Sequence, residues 1–456
     1  MSQKLHRYVA KASLRASPTM SAANMAKAAV ARGKQVEVVT IGDLFPKPTP
    51  SEVAQWEARL HQAAADPTHK GNPIYALRND KNVFAYSETT GLPSLRATIA
   101  ETFSRDTGCV ATPAEVMVGT GGKGALNGAF FSVLKAGDVV VLAAPGWPTN
   151  YDMFPAGVVL LEITTADGLI RAADLPAILA EVPQPAMILI NAPNNPTGAN
   201  YTPEEREAFF AAVTKLTTNT LVASDDPYGK LVYDREPYDI RAVLQRGPHE
   251  KALFAAGRLA VFRTVSKEYG LAGLRVGFVV SKNTAMLSSL QMWNEGKGGG
   301  MGVEDQLKAQ AALLYGDEFI TRTVASLQQK RAVLVEGIAV LKHATMDAPR
   351  GTIYGWVDFS GLEGCTVSAS HSETGEAYVI DSPATMMRYL VNVAGVCGVP
   401  GGPFFAPDSP SAARDWHVRI SFCCELPQLQ RALAGLSIAE SNLQSPVSAR
   451  AVSAHA

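Results

Sequence analysis

Apolar and polar positions along the chain fall into two regimes. In the middle, short runs of Val, Ile, Leu and Ala recur at 116–119, 139–144, 187–190, 221–223 and 259–265, each followed by a polar residue or a glycine-containing turn. Runs that continuous read as strands buried on both faces, the pattern of a mostly parallel sheet. Alanine-rich residues 20–33 end in Gly33 and predict a short helix with its stop signal. Residues 36–50 predict a strand leading into a proline-rich turn, and 303–345 a long helical stretch. A glycine-rich break at 295–302 separates that stretch from what precedes it. Residues 351–361 and 416–422 predict further strands. Residues 363–382 are polar and lack helical period, which predicts a surface loop or hairpin with no role assigned to His371. The small, polar residues 443–456 are expected to be disordered.

Polar residues at the ends of the apolar runs are the candidates for chemistry. Asn195 lies in the turn after 187–190, Asp225 ends the next run, Tyr228 follows three positions on, and Lys267 follows 259–265. Open α/β sheets bind ligands beyond the carboxyl ends of their strands. Lysine is rarely buried unless it is paired or its pKa has fallen, and a neutral amine is what an aldehyde cofactor requires. Arg275, eight positions past Lys267, suits a phosphate ester, because its guanidinium is a planar fork. Gly121 and Gly122 open a predicted helix, where unpaired amides and close backbone approach make a phosphate cradle. A carboxylate such as Asp225 beside a pyridine nitrogen would favour the protonated ring. Each residue also has a plainer reading. Lys267 and Arg275 could be a surface lysine and a structural arginine, Trp147 could fill core, Asp225 could cap the next element, and Lys123 could face solvent.

Composition narrows the classes. Of the 456 residues 47% are hydrophobic and 18% charged, a globular balance with material for two or three domains. A formal net charge of -1 gives no electrostatic case for nucleic acid or an anionic membrane. The cysteines (Cys109, Cys365, Cys397, Cys423, Cys424) show no metal spacing, which fits free thiols in a reducing, cytoplasmic setting. Residues 1–36 hold basic residues and no acid, as organelle transit segments do.

Read together, GGK (121–123), GWP (146–148), NNPTG (194–198), DDPY (225–228), SK (266–267), LRVG (274–277) and HVR (417–419) resemble, in that order, the aspartate aminotransferase family of class I and II aminotransferases. The resemblance runs from about residue 17 to about residue 443. It implies a fold-type I α/β architecture: a large, mostly parallel-sheet domain and a smaller α+β domain built from both chain ends. The expected boundaries are 1–64 for an N-terminal arm and part of the small domain, 65–300 for the large domain and 301–456 for the small domain.

The resemblance also implies pyridoxal 5'-phosphate on Lys267. Asp225 would meet the ring nitrogen, and Asn195 and Tyr228 the phenolic oxygen, with Trp147 stacked on the ring. Gly121, Gly122, Lys123, Thr264, Ser266 and Arg275 would surround the phosphate. Tyr86, ahead of Gly91 in a Tyr-x-x-x-x-Gly pattern, would reach the partner's cofactor in a homodimer. Gly42, Asn195 and Arg419 would bind the substrate's α-carboxylate. Lys123 and Thr19 would hold the distal group of a dicarboxylate. The implied reaction moves an amino group from an L-amino acid to a 2-oxo acid such as 2-oxoglutarate. A decarboxylase, lyase or oxidase on the same site would keep the same residues. A non-catalytic regulator normally needs a DNA-binding module, for which this reading leaves no room.

Overall fold

The computed structural model describes residues 5–11, 15–40, 42–77, 86–233 and 238–444. The chain divides into two compact units: one of Met1–Arg15, Asp43–Leu327 and Arg350–Ile353, the other of Ala16–Gly42, Gln328–Pro349 and Tyr354–Ala456.

The larger unit is built on an eight-stranded sheet. Four of its strands, Val159–Thr164, Val139–Ala144, Met187–Asn191 and Leu221–Asp225, lie side by side and parallel, and Leu259–Thr264 continues the series. Val276–Ser281 then runs antiparallel, and Val116–Thr120 pairs antiparallel with it to form one edge. The apolar runs are buried along their whole length, as expected of strands covered on both faces. Helices Gly121–Val133 and Thr284–Trp293 pack together; a Cβ on Gly128 would come within 2.6 Å of Leu290. Helices Pro203–Leu216 and Pro248–Ala255 form another pair.

Leu5–Val9, which the apolar pattern did not reveal, is the other edge of this sheet, antiparallel to Val159–Thr164. Tyr8 meets the Tyr151 ring edge-on at 6.2 Å. Arg15 then binds Asp152 through Nε (2.8 Å) and Nη2 (3.1 Å) and donates to the Pro148 carbonyl at 2.9 Å.

The expected long helix at 303–345 is two helices, Val303–Tyr315 and Asp317–Ala339. The break is at Gly316, where a Cβ would lie 2.9 Å from the Tyr269 ring and 2.6 Å from the Ala312 carbonyl. The glycine-rich 295–302 segment begins as a wide helical turn, Asn294–Gly298, that continues Thr284–Trp293.

In the smaller unit, Tyr354–Asp358, His417–Ser421 and Val399–Pro400 make an antiparallel sheet. Glu37–Val38 pairs with Val396–Cys397, and helices Pro18–Ala31, Pro383–Asn392 and Leu426–Ser441 complete the unit. Residues 363–382 contain a hairpin, Thr366–Val367 with Tyr378–Val379. Leu443–Gln444, expected to be disordered, adds a third strand to it; its backbone amides find partners on Thr366 and Val367. Residues 445–456 lie outside the described residues. All five cysteines are free thiols. Among the described residues no helix is long and apolar enough to cross a membrane, and no group of three or more His, Cys, Asp or Glu could hold a metal ion.

Candidate active site

Strand register sets the geometry of the larger unit's site. Asn191 is level with Asp225, and Asp225 with Phe262, so two adjacent strands end in one row and the third runs two residues beyond it, to Thr264. Beyond that row the strands release Asn195, Tyr228 and Lys267 on the same side of the sheet. Thr264 caps the short helical turn Val265–Glu268 by accepting from the Ser266 amide at 3.1 Å, and that turn presents Lys267.

Asp225 is 7% exposed. Asn191, which the sequence reading missed, donates through Nδ2 to the Asp225 carbonyl (2.8 Å) and to Oδ2 (3.2 Å), and accepts the Asn195 amide on Oδ1 (2.8 Å). One amide side chain therefore fixes both neighbours. Its signal in the sequence was a polar residue closing the apolar run 187–190, four positions before Asn195.

Asp226 was also passed over. Ser224 donates to it at 2.6 Å, and Arg246 donates to its other oxygen. Burial alone would raise its pKa, but the guanidinium charges of Arg246 and Arg206 hold it below the usual carboxylate range. Arg206 in turn donates through Nε and Nη2 to the two oxygens of Glu250, each at 2.7 Å. The consequence falls on the neighbour: burial, and then the negative charge of Asp226, push Asp225 up to about 8. A carboxyl in that state gains most from a cation beside it.

Arg275 and a group of glycines pack together at the start of Gly121–Val133. The guanidinium of Arg275 sits 2.5 Å from where a Gly121 Cβ would be, and the Arg275 carbonyl accepts the Gly121 amide at 2.7 Å. Gly277 packs against the Gly121–Gly122 peptide so closely that a Cβ there would lie 2.3 Å away. Thr264 donates to the Val276 carbonyl at 2.8 Å and approaches Ser266 Oγ at 2.9 Å. Arg275 itself has φ 54°, a left-handed conformation uncommon for a side chain of its size. Lys123 Nζ lies 5.3 Å from the centre of the half-buried Trp147 ring. Burial, and then the charge of Arg275, lower the Lys123 pKa, with Asp152 opposing. Tyr228 is buried, Lys267 half-buried, and Tyr86 is 94% exposed.

In the smaller unit, Arg419 is 4% exposed in the middle of His417–Ser421. Nη2 donates to the Thr40 carbonyl at 3.1 Å and approaches Thr19 Oγ1 at 3.4 Å. Its guanidinium lies 4.1 Å from the Tyr354 ring centre and 5.2 Å from that of Phe404. Gly42 abuts the Tyr354 hydroxyl, 1.9 Å from an added Cβ. Gly42 and Arg419 therefore meet at Tyr354, which the sequence reading had not singled out, and Thr19 approaches the same guanidinium.

The chain is similar to known proteins along most of its length. By sequence the chain is similar to the aspartate/prephenate aminotransferase of Cereibacter sphaeroides, 30% identical over 326 residues, or 70% of this chain and 76% of that protein. The LL-diaminopimelate aminotransferase of Dehalococcoides mccartyi is 28% identical over 417 residues, 89% of this chain and 92% of that one. The crystal structure of an aspartate aminotransferase from Rhizobium meliloti has the same fold, with a TM-score of 0.77 at 24% identity, covering 95% of this chain and 98% of that one. The profile of aminotransferase class I and II matches residues 52–436, and with so much of the chain matched, the protein belongs to that family.

Proposed function

We propose that the protein transfers the amino group of an L-amino acid to a 2-oxo acid, 2-oxoglutarate among them, with pyridoxal 5'-phosphate as cofactor and aspartate or glutamate among the donors. The observation carrying this reading is the row of strand ends: an acid pushed up to about 8 at Asp225, an amine at Lys267, and an anion cradle under Arg275. These are the three groups a phosphorylated pyridine aldehyde needs, so the residues fit it.

When bound, the cofactor supplies an electron sink for negative charge developing at the substrate's α-carbon. Lys267 is the residue assigned to hold it covalently and, once released, to take and return the α-proton as general base. Asp225 keeps a proton on the ring nitrogen, because carboxylate and protonated nitrogen stabilise each other. Asn195 and Tyr228 are assigned to the phenolic oxygen, and Trp147 to the ring face. The Gly122 amide, Lys123, Thr264, Ser266 and Arg275 are assigned to the phosphate; the Gly121 amide, expected to be unpaired, is taken by the Arg275 carbonyl, so Gly121 is assigned only the close backbone approach that a side chain would block. Arg419, beside Gly42, is assigned to the α-carboxylate as a bidentate fork. Lys123 and Thr19 are assigned to a distal carboxylate.

The relatives' names support both aspartate and other donors, so the test is a panel of amino acids offered with 2-oxoglutarate, scored for oxo-acid and non-oxo products. The expected result is oxo acid from aspartate or glutamate. Amine or elimination products in its place would move the protein to a lyase or decarboxylase reading. We place the enzyme in the cytoplasm as a homodimer sharing Tyr86, whose exposure supports a partner surface. Mixing inactive Lys267→Ala and Tyr86→Ala chains should restore part of the activity through hybrid dimers; no recovery would leave each site within one chain.

A further inference from the structure

Behind the turns that present Tyr228 and Lys267 lies a buried polar cluster that the mechanism above does not use. Glu268, next to Lys267, is 2% exposed. Arg263 Nη2 donates to both of its oxygens, at 2.9 Å to Oε1 and 2.8 Å to Oε2. Oε1 also accepts the backbone amide of Lys230 at 2.8 Å. Lys230 follows Tyr228 by two residues, so one carboxylate is tied to the Lys267 turn by its own backbone, to the Tyr228 turn by that amide, and to strand Leu259–Thr264 through Arg263. The side chain of Lys230 returns to the Lys267 segment, donating to the Tyr269 hydroxyl at 2.8 Å. Asp317 (3.4 Å) and Asp106 (3.8 Å) balance its charge. Tyr238 donates to the Lys230 carbonyl.

We infer that Glu268 is a positioning residue: its carboxylate, shared between the two turns, sets the Lys267 amine in register with the Tyr228 hydroxyl. The inference rests on the assignment of those two side chains to one cofactor. Its physical basis is stiffness. Each turn alone is a few residues at a strand end, with room to shift. A buried acceptor that holds an amide of one turn and belongs to the other removes that freedom. The alternative is a buried ion pair that serves stability only. The two differ in what happens when both charges go, because removing one partner of a buried pair strands the other, whereas replacing both with apolar residues is often neutral for folding.

The test uses the holoenzyme reconstituted with pyridoxal phosphate. Borohydride fixation on a Lys267 peptide in the wild type comes first; labelling elsewhere would overturn the underlying assignment, and this inference with it. Then the pair variant Arg263→Leu/Glu268→Leu and the single variant Glu268→Asp are compared with wild type. Three readouts serve: thermal midpoint, the pH midpoint of the bound cofactor's visible absorption, and kcat against KM. A misplacement of about 1 Å can cost on the order of 10²-fold in rate. The pair variant should melt below the wild type only by what the Lys230 amide loses with its acceptor, still cooperatively, yet lose roughly ten- to a hundredfold in kcat, with KM little changed and the absorption midpoint displaced. Should the pair variant not fold, Glu268→Asp decides, since it keeps the charge but draws the carboxylate back by one methylene. It should displace the absorption midpoint and lower kcat. Wild-type kcat and absorption midpoint in whichever variant folds would reduce the cluster to a stability element and overturn the inference.

Discussion

The two units hold their candidate chemistry in different ways. In the larger unit, functional side chains stand at the ends of separate parallel strands, and backbone register aligns them before any side-chain contact forms: Asn191, Asp225 and Phe262 are level because their strands are paired. In the smaller unit, Arg419 lies mid-strand and is aimed by what surrounds it, the Tyr354 and Phe404 rings and the Thr40 carbonyl. Ladder hydrogen bonds guarantee the first arrangement, whereas the second depends on packing. A substitution among the strand ends should therefore change chemistry with little change in fold, and one around Arg419 should change binding and local packing together.

The largest effect should come from Lys267→Ala, which removes the proposed covalent attachment and the base at once; turnover should fall by on the order of 10⁴-fold or more, with the thermal midpoint nearly kept. A protein still active, or one grossly unfolded, would break the contrast.

Asp225→Asn should follow, with a loss of roughly 10²- to 10³-fold in kcat. It also carries a pH signature in the cofactor-free protein. An acid raised from its ordinary 3.8 to about 8 binds a proton in the folded state that the unfolded chain has released. Its contribution to stability is complete below pH 3.8 and lost as pH rises to about 8, at up to about 1.4 kcal/mol per pH unit. Asn does not titrate, so Asp225→Asn should gain stability over the wild type as pH rises through that window. Denaturant melts at a series of pH values measure it; a constant difference would show that Asp225 is not held up.

Arg419→Lys comes next. A lysine is a single point of charge in place of a planar fork, and it stacks less well between the Tyr354 and Phe404 rings. Hydrogen bonds to charged groups contribute about 1.5–3 kcal/mol, so kcat/KM should drop by about ten- to a hundredfold, mainly through KM. A pure kcat loss would place Arg419 with the strand-end group. The smallest effect is expected from Lys123→Ala: about a fivefold rise in KM for aspartate and glutamate, the scale of a partly solvated ion pair, with neutral donors spared. Equal losses for neutral donors would assign Lys123 to the cofactor alone.

The same contrast explains what the sequence disclosed. Strands covered on both faces write themselves as apolar runs, and a polar residue ending such a run has few structural reasons to be there; Asp225 and Lys267 were legible for that reason. Asn191 obeyed the same rule and was missed because the turn chemistry of Asn194 to Gly198 drew attention past it. Asp226 and Glu268 were illegible: a carboxylate next to a functional residue carries no mark of whether it faces solvent or a buried guanidinium. Tyr354 and Phe404 looked like ordinary core aromatics, because a cation over a ring depends on tertiary approach. Gly316 split a helix that periodicity alone joined, since its reason is the Tyr269 ring in a distant segment. The Leu5–Val9 strand alternates too weakly, within a basic segment, to be read without its partner.

That edge strand has a practical consequence for handling the protein. An uncovered sheet margin offers a row of unpaired amides and carbonyls to any other chain. Leu5–Val9 occupies the margin of Val159–Thr164, and Arg15 binds Pro148 and Asp152, beside Trp147. Trimming the first fifteen residues to obtain a shorter expression product would bare that margin and loosen the Trp147 turn in one cut. Poor solubility of such a product would then reflect an exposed template for self-association, with the catalytic residues themselves untouched. A purification handle belongs at the far end of the chain.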